Sequence, residues 1–240
     1  MNITTLTALR SLYLPARERS VKKQLNHIDA HCAKFIALAP LVVVSSSGSN
    51  GTLDASPRGG TPGFVQVQGT NTLLIPDAPG NNRLDTLENI VQTGQVGFLF
   101  LVPGVDETLR VNGTAVLSTA EADLQACADA KRTPKLVIRV TVQAAYLHCA
   151  KALLRSKLWS GDYAQPKGTF PSIARMVGDQ VGMVEVQTTD ADNVAGRRSL
   201  RSLLRSQRRR NAKCEGQRKP PSSLPRPAPP PGTEIGRAHV

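Results

Sequence analysis

The sequence predicts a mainly β fold of the α+β type, a small barrel of about seven strands with short flanking helices. Short runs of β-branched and aromatic residues recur at close spacing, and glycine-marked turns separate them, as in small all-β folds. Only two short helical patterns lie between strands, which is too few for a doubly wound sheet, where helices alternate with strands.

Seven segments carry the strand signal, either by alternation of apolar and polar residues or as short apolar runs bounded by turn residues. They are residues 41–47, 52–56, 63–68, 71–75, 95–102, 107–118 and 135–147. The turn GSNG at 48–51 is expected to join the first two in a hairpin. Gly113 is expected to kink the sixth.

Four segments have apolar residues at helical spacing. They are residues 19–38, 83–92, 119–130 and 148–159. Pro40 is expected to follow the end of the first helix, and Thr119 is expected to cap the third.

The strand at 95–102, QVGFLFLV, is apolar on both faces. Such a strand is expected to be buried on both sides, by the barrel interior and by a cover outside. A second subunit is an economical cover, so we expect a homodimer.

The net charge of +12 is concentrated near the C-terminus. Residues 191–240 contain 12 of the 30 Lys and Arg but only 3 of the 18 Asp and Glu, so the rest of the chain is nearly balanced. We therefore expect no nucleic-acid binding by the body, while a basic tail that binds RNA stays an alternative.

The sequence predicts a folded domain over residues 1–182 and an Arg- and Pro-rich disordered tail over 183–240. Its last residues, EIGRAHV, match the translation of a common sequencing-library adaptor, and the Arg/Pro bias is typical of a GC-rich gene read out of frame. We interpret roughly the last 50 residues as a frameshift artefact. Resequencing the native locus tests this, and an intact gene encoding the same tail would refute it.

No apolar run approaches the roughly 20 residues that span a bilayer, and the N-terminus lacks the order of a signal peptide. We expect a cytoplasmic protein without membrane contact. In that setting Cys32, Cys127, Cys149 and Cys214 are expected to be free thiols. The two His-Cys pairs place possible ligands next to each other, which is poor zinc spacing, so no metal site is expected.

Polar residues at the ends of two strands form the best candidate for a binding site. Arg58 lies in DASPRGG, and Asn81, Asn82 and Arg83 lie in PGNNR, ahead of the second helix. A helix start offers free N–H groups, and an arginine adds a charged fork suited to phosphate. A plain Pro-Gly turn with an Asn cap and a solvated arginine is the alternative, and the two interpretations are about equally supported.

Two further sets of polar residues have two possible interpretations: a role in ligand binding, or a solvated surface. Arg110 and Asn112 alternate on one strand, and Lys151 and Arg155 are one helical turn apart, with His148 a turn earlier. Trp159, the single tryptophan, is either a core anchor or a cover for an aromatic ligand.

Taken together, the segments DASPRGG…PGF, LLIPDAPGNNRLDTLENI, VGFLFLVPGVDETLRVNG and HCAKALLRSKLW resemble the pyridoxamine 5′-phosphate oxidase-related FMN-binding proteins, in particular bacterial members with unassigned substrates. The resemblance covers about residues 8–182. It implies an FMN-binding split β-barrel and a homodimer with FMN at the interface.

The resemblance also implies roles for particular residues. Arg58, Asn82 and Arg83 correspond to positions that hold the FMN phosphate, and Asn81 supports their turn. Ile75 and Pro76 fall where backbone borders the flavin ring. Three residues of the C-terminal segment approach the cofactor: Lys151, Arg155 and Trp159.

The chain departs from the authentic oxidase after Arg58, where RGGTPGFVQV replaces a basic, apolar run, and it lacks the oxidase's C-terminal substrate pattern. Pyridoxamine 5′-phosphate is therefore not the expected substrate. The resemblance implies an FMN-dependent oxidoreductase that uses a small-molecule substrate or electron donor. A flavin-storage protein without turnover and a relative that binds haem or a deazaflavin are the alternatives.

Overall fold

The computed structural model describes residues 2–130 and 132–183. The described residues divide into two units, with the boundary between Ala164 and Gln165. Seven strands lie in the first unit: β1 (Leu41–Ser47), β2 (Leu53–Gly59), β3 (Gln66–Gln68), β4 (Thr72–Pro76), β5 (Gln95–Leu101), β6 (Thr108–Ser118) and β7 (Val137–His148). Its helices are α1 (Leu6–Arg10), α2 (Glu18–Lys22), α3 (Ala30–Leu38), α4 (Asp85–Thr93), α5 (Glu121–Ala126) and α6 (Lys151–Ser156).

The seven strands form one antiparallel sheet in the order β2-β1-β5-β6-β7-β4-β3. The mainly β fold with short flanking helices is thus confirmed. The sheet is not closed, because within the described residues its end strands β2 and β3 do not pair with each other. The predicted barrel is therefore split rather than continuous in its hydrogen bonding.

Strand β2 is longer than predicted and reaches Gly59, which brings Arg58 inside the strand, opposite Val42 of β1. Pro57 lies in the same strand. A proline is tolerated here because β2 is an edge strand, where one side of the backbone needs no partner. The edge position leaves Arg58 beside a free border of the sheet.

Gly113 marks a break in register between β6 and β7, as the sequence predicted. A Cβ atom at this position would lie 2.1 Å from the carbonyl oxygen of Thr141. The close approach of the two backbones therefore requires glycine at this bulge.

The core lies between one face of the sheet and the helices α3 and α4. Its members include Ile36 of α3, Ile90 of α4 and Phe100 of β5. Only one face of β5 is fully buried, since Leu99 and Leu101 on its other face are half-buried in the single chain. The expectation that both faces are covered therefore depends on a partner.

The predicted helix over 19–38 is wrong as a single element. It is divided into α2 and α3 by a stretch in which Leu25 exchanges two backbone hydrogen bonds with Ala145 of β7, at 3.0 and 2.8 Å. Asp29 then starts α3 as its N-cap, accepting a hydrogen bond from the Cys32 N–H at 2.8 Å. Pairing with the sheet overrides the helical periodicity.

The other predicted helices are shorter in the structure. The third starts at Glu121, and its N-cap is Ala120, without a side-chain cap, so the predicted Thr119 cap is wrong. The Ser118 hydroxyl accepts from the Ala120 N–H at 3.2 Å and donates to the Asp123 carboxylate at 2.6 Å. The fourth starts at Lys151, because β7 continues through His148.

The second unit is described over residues 165–183 and contains α7 (Ile173–Gln180), capped by the Ser172 side chain. The predicted tail at 183–240 lies outside the described residues apart from residue 183, so the boundary after 182 stays a prediction. In the part of the chain that is described, no helix is both long and apolar enough to cross a membrane.

Candidate functional site

A cavity of about 410 Å³ and a larger one of about 600 Å³ open on the first unit. The larger cavity lies between the end of β2, the turn from β4 to α4 and the loop that precedes β7. Arg58, Asn81, Asn82 and Arg83 all line it. The structure therefore brings together the four residues that the sequence predicted for a phosphate.

Two arginines of this cavity form ion pairs, Arg58 and Arg83, and Arg58 is the more buried of the two. Its side chain is 22% exposed, and its Nη1 atom is 3.9 Å from Oδ1 of Asp77, which is 23% exposed. The Arg58 Nε atom is buried and has no hydrogen-bond partner among the described residues. A buried donor without a hydrogen-bond partner lowers the stability of the fold. An anionic ligand would provide the missing acceptor.

The turn at Asn81–Arg83 is held by its own hydrogen bonds. The Asn81 side chain accepts from the Arg83 N–H at 3.0 Å, and Asn82 has a left-handed backbone with φ of 60°. Asparagine is among the few residues that adopt this conformation readily. Arg83 is 77% exposed, and its Nε donates to Asp85 at 2.6 Å.

The start of α4 differs from the prediction. The helix begins at Asp85, not at Arg83, and its N-cap is Leu84, without a side-chain cap. Asp85 and Glu88 lie in the first turn. These carboxylates already interact with the positive end of the helix dipole, so the helix start is a weaker anion site than the sequence suggested.

The loop before β7 contributes two cations that were not among the predicted site residues, Arg132 and Lys135. The pairing of Pro76 with Val137 and a 3.0 Å hydrogen bond from the Asp77 N–H to the Leu136 carbonyl bring this loop to the cavity. The basic segment KRTPK was visible in the sequence. Only the pairing of β4 with β7 places Arg132 and Lys135 beside the turn.

The residues around the larger cavity fit a phosphate. Four cationic side chains, Arg58, Arg83, Arg132 and Lys135, line it together with three carboxylates, Asp54, Asp77 and Asp85. Each carboxylate has a partner of its own: Thr86 donates to Asp54, Arg83 pairs with Asp85, and Arg58 lies near Asp77. The excess positive charge and the unpaired Arg58 Nε together suit an anion.

Ile75 and Pro76 lie at the end of β4, next to this cavity's wall. Ile75 is fully buried, backbone included, whereas Pro76 is half-buried. Strand β3 pairs with Thr72, Leu73 and Leu74, so Ile75 and Pro76 extend past the end of that neighbour. Neither residue is among those that line the larger cavity, so their predicted place beside a flavin ring stays a prediction.

The smaller cavity lies on the outer face of β5 and β6. Leu99 and Leu101 line it together with Arg110 and Asn112, which share this face as the sequence predicted. Arg110 also lies over the Tyr146 ring, 5.3 Å from its centroid, which is a cation–π distance. This surface is half-buried and mixes apolar with polar groups.

The structure does not bring Lys151, Arg155 and Trp159 to the larger cavity. Lys151 and Arg155 are exposed on α6, and His148 belongs to β7, so the predicted shared helix face of these three is wrong. The Trp159 Nε1–H donates to the Val105 carbonyl oxygen at 2.9 Å, which anchors the segment after α6 on the turn between β5 and β6.

Cysteine chemistry has little support in the described part of the chain. Cys32, Cys127 and Cys149 form no disulfide, while Cys214 lies outside it. Burial raises the pKa of Cys32 to about 12 and that of Cys127 to about 11, so neither is a reactive thiolate near neutral pH. Among the described residues, no group of three or more His, Cys, Asp or Glu is placed to hold a metal.

An open antiparallel sheet with a cavity at its border, lined by four cationic and three carboxylate side chains, defines a mainly β protein with a candidate ligand site in its described residues. The chain belongs to the pyridoxamine 5′-phosphate oxidase family, whose model matches residues 28–149, just over half of the sequence. No curated protein matches the sequence significantly.

Several solved structures are similar to the chain. HupZ from Group A Streptococcus is 19% identical, with a TM-score of 0.41, over 50% of this chain and 93% of that one. An FMN-binding protein from Syntrophomonas wolfei is 13% identical, with a TM-score of 0.38, over 48% and 81%. An FAD-binding protein from Mycobacterium smegmatis is 20% identical, with a TM-score of 0.36, over 52% and 100%.

Proposed function

We propose that the protein is an FMN-dependent oxidoreductase that binds the FMN phosphate in the larger cavity. The unpaired, buried Nε of Arg58 carries this proposal, because a phosphate oxygen is a suitable acceptor for it. The cavity volume of about 600 Å³ lies within the usual range of ligand clefts, about 300–1,000 Å³. Membership of the family supports a flavin as the ligand.

Different residues contact different parts of the FMN in this proposal. Arg58 holds the phosphate from the strand side, and the turn at Asn81, Asn82 and Arg83 closes over it with polar groups. The backbone at Ile75 and Pro76 borders the flavin ring. Bound flavin supplies the capacity to accept or donate two electrons, so the chain's own residues need only bind and orient it.

We further propose that the protein is a homodimer, in which a partner covers the outer face of β5. Leu99 and Leu101 are half-buried in the single chain and line the smaller cavity with Arg110. An apolar strand face that stays partly open is typical of a subunit interface. In this arrangement Lys151, Arg155 and Trp159 approach the cofactor of the dimer from α6 and the segment after it.

The test is the colour and content of the purified full-length protein. We expect flavin absorbance bands, and FMN as the compound released on denaturation and identified by mass spectrometry. A colourless protein that also fails to bind added FMN would refute the proposal. Release of another flavin would keep the cavity as a flavin site and correct the cofactor.

Turnover separates an enzyme from a binding protein. Anaerobic mixing of the FMN-loaded protein with NADH or NADPH is expected to bleach the flavin band, because a redox enzyme must exchange electrons with a donor. A loaded protein that neither nicotinamide donor reduces, and that turns over with none of a panel of acceptors, would instead be a flavin-storage protein.

A further inference from the structure

The start of α4 is joined to the edge strand β2 by a short, buried hydrogen bond. The Thr86 hydroxyl donates to the Asp54 carboxylate at 2.5 Å, and Thr86 is only 2% exposed. Both residues line the larger cavity. A hydrogen bond to a carboxylate is about twice as strong as one between neutral groups. It connects the strand that carries Arg58 to the helix that follows the turn at Asn81–Arg83.

The Asp54 carboxylate would disfavour an anion bound nearby. Like charges repel in a half-buried site, so an acid on the wall of a phosphate cavity weakens binding unless it has another role. Asp54 makes no ion pair with a cation among the described residues, and the hydrogen bond that it accepts comes from Thr86. The contact with Thr86 therefore indicates that this carboxylate has a positional role.

Asp54 lies on the same face of β2 as Arg58. Residues 54, 56 and 58 alternate with exposed neighbours, and all three line the larger cavity. Within the described residues β2 pairs only with β1, so no strand on its other side fixes its position. The hydrogen bond from Thr86 provides a fixed point on this strand, four residues before Arg58. The location of the Arg58 guanidinium in the cavity therefore depends on it.

Two further side-chain hydrogen bonds attach α4 to the neighbouring strand β1. Asn89 donates to the Ser46 hydroxyl at 3.0 Å, and Thr93 donates to the Ser47 carbonyl oxygen at 2.8 Å. Thr86, Asn89 and Thr93 are three and four residues apart, so they form one stripe along the helix. Of the three, only Thr86 lines the larger cavity. Because Asn89 and Thr93 would keep α4 on the sheet, Thr86 can be tested separately from the fold.

We propose that Thr86 and Asp54 are positioning residues, whose hydrogen bond sets the distance between Arg58 and the turn at Asn81–Arg83. The turn leads into α4, which has no side-chain N-cap, so Thr86 anchors the first turn of the helix where a cap does not. A buried polar pair whose hydrogen bond is made rigidifies its surroundings. This inference rests on the proposed function, because it takes the phosphate to bind between Arg58 and that turn.

The experiment compares two matched substitutions on one helix, Thr86→Val and Thr93→Val, in the full-length protein. Each replaces a hydroxyl by a methyl group and removes a hydrogen bond from α4 to the β1–β2 hairpin. The Kd values of FMN and of orthophosphate are measured by isothermal titration, together with the phosphorus NMR signal of bound FMN. We expect Thr86→Val to weaken both ligands about tenfold and to shift that signal. Thr93→Val should lower the stability but leave both Kd values and the signal unchanged.

Two more variants separate a positional role from a plain loss of stability. Thr86→Ser keeps the hydroxyl and should bind FMN as the wild type does. Asp54→Ala removes a negative charge from the cavity wall, so electrostatics alone predicts tighter FMN binding. A positional role predicts weaker binding instead, because the acceptor of Thr86 is lost. This difference in sign decides the question even if Thr86→Val does not fold.

Three results would each overturn the inference and leave the FMN proposal intact: wild-type affinity in Thr86→Val, equal losses of affinity in Thr86→Val and Thr93→Val, or unchanged or tighter binding by Asp54→Ala. Orthophosphate keeps the two proposals apart. If the wild type binds orthophosphate but not FMN, the proposed function is refuted, and weaker orthophosphate binding by Thr86→Val still supports the positional role. If the wild type binds neither, both proposals are refuted.

Discussion

The guanidinium of Arg58 and the carboxylate of Asp77 face each other at 3.9 Å, and both side chains are mostly buried. This distance is too long for a direct hydrogen bond, and it leaves the Arg58 Nε without a partner among the described residues. The pair therefore balances charge in the free protein without using the donors of the arginine. A bound phosphate would accept the hydrogen bonds from the Arg58 guanidinium that Asp77 is too distant to accept.

Replacing Asp77 should strengthen phosphate binding. A bound phosphate would lie close to Arg58 and hence close to the Asp77 carboxylate, and like charges in a half-buried site repel. Asp77→Asn keeps the shape and removes the charge, so we expect FMN to bind several-fold more tightly in a fluorescence titration. Glu121→Gln, an exposed acid outside the cavity, is the control. Weaker FMN binding by Asp77→Asn would mean that Asp77 mainly positions Arg58.

A charge on the outer face of β5 should break the proposed dimer. Leu99→Glu places a carboxylate on the half-buried face that lines the smaller cavity, and burying it against a partner would be costly. We expect a monomer by analytical ultracentrifugation, with loss of FMN. Val91→Glu alters an exposed apolar residue of α4 and should stay dimeric. A Leu99→Glu protein that remains a dimer would exclude this face as the interface.

The N-cap of α3 should make stability depend on pH. The hydrogen bond from the Cys32 N–H is the main cause that holds the pKa of Asp29 below its ordinary value of 3.8. The stabilisation is therefore complete above the unfolded pKa and is lost as the pH falls through the folded one. Asp29→Ala should cost about 1 kcal/mol near pH 6 in urea unfolding, and less below about pH 4.

Asp29→Asn is the matched control for this cap. Asparagine caps helices as well as aspartate does but does not titrate, so its stability difference from alanine should be the same at both pH values. A difference between Asp29→Ala and the wild type that does not shrink in acid would show that the charge of Asp29 contributes nothing.

The bulge at Gly113 should not tolerate a side chain. The 2.1 Å approach of a Cβ to the Thr141 carbonyl involves backbone on both sides, so relief requires the strands to separate. We expect Gly113→Ala to lower the free energy of unfolding by about 3 kcal/mol or more, or to prevent folding. Gly59→Ala, whose Cβ would meet its nearest neighbour at 3.5 Å, should stay within about 0.5 kcal/mol of the wild type. Equal stability of the two variants would refute the assignment of the bulge.

Local patterns in the sequence were sufficient to place all seven strands and the glycine of the bulge, but not the bounds of β2, which is longer than predicted, or of β3, which is shorter. The alternation in 107–118 and the apolar run in 95–102 predict β6 and β5, because side-chain period and burial act within each strand. They were not sufficient for the helix over 19–38, where Leu25 pairs with Ala145 of a strand 120 positions away in the sequence.

Only part of the candidate site could be predicted from the sequence, because some of its residues come together only through strand pairing. Arg58 and the turn around Asn82 carry local signals, a strand end and a Pro-Gly turn. Arg132 and Lys135 precede β7, and only the pairing of Pro76 with Val137 brings them to the same cavity. The burial of Arg58 and the exposure of Arg83 also depend on the tertiary structure. From the sequence alone the two arginines look equivalent.

Whether Arg58 holds the FMN phosphate is decided by the dissociation constant of FMN for Arg58→Ala, Arg83→Ala and the control Arg10→Ala. Losing a hydrogen bond to a charged group costs about 1.5–3 kcal/mol, so Arg58→Ala should weaken FMN binding about 10- to 150-fold. Arg83→Ala should weaken it by less, because this side chain is exposed and already paired with Asp85. The control should bind as the wild type does. A folded Arg58→Ala protein that keeps wild-type affinity for FMN would contradict the account.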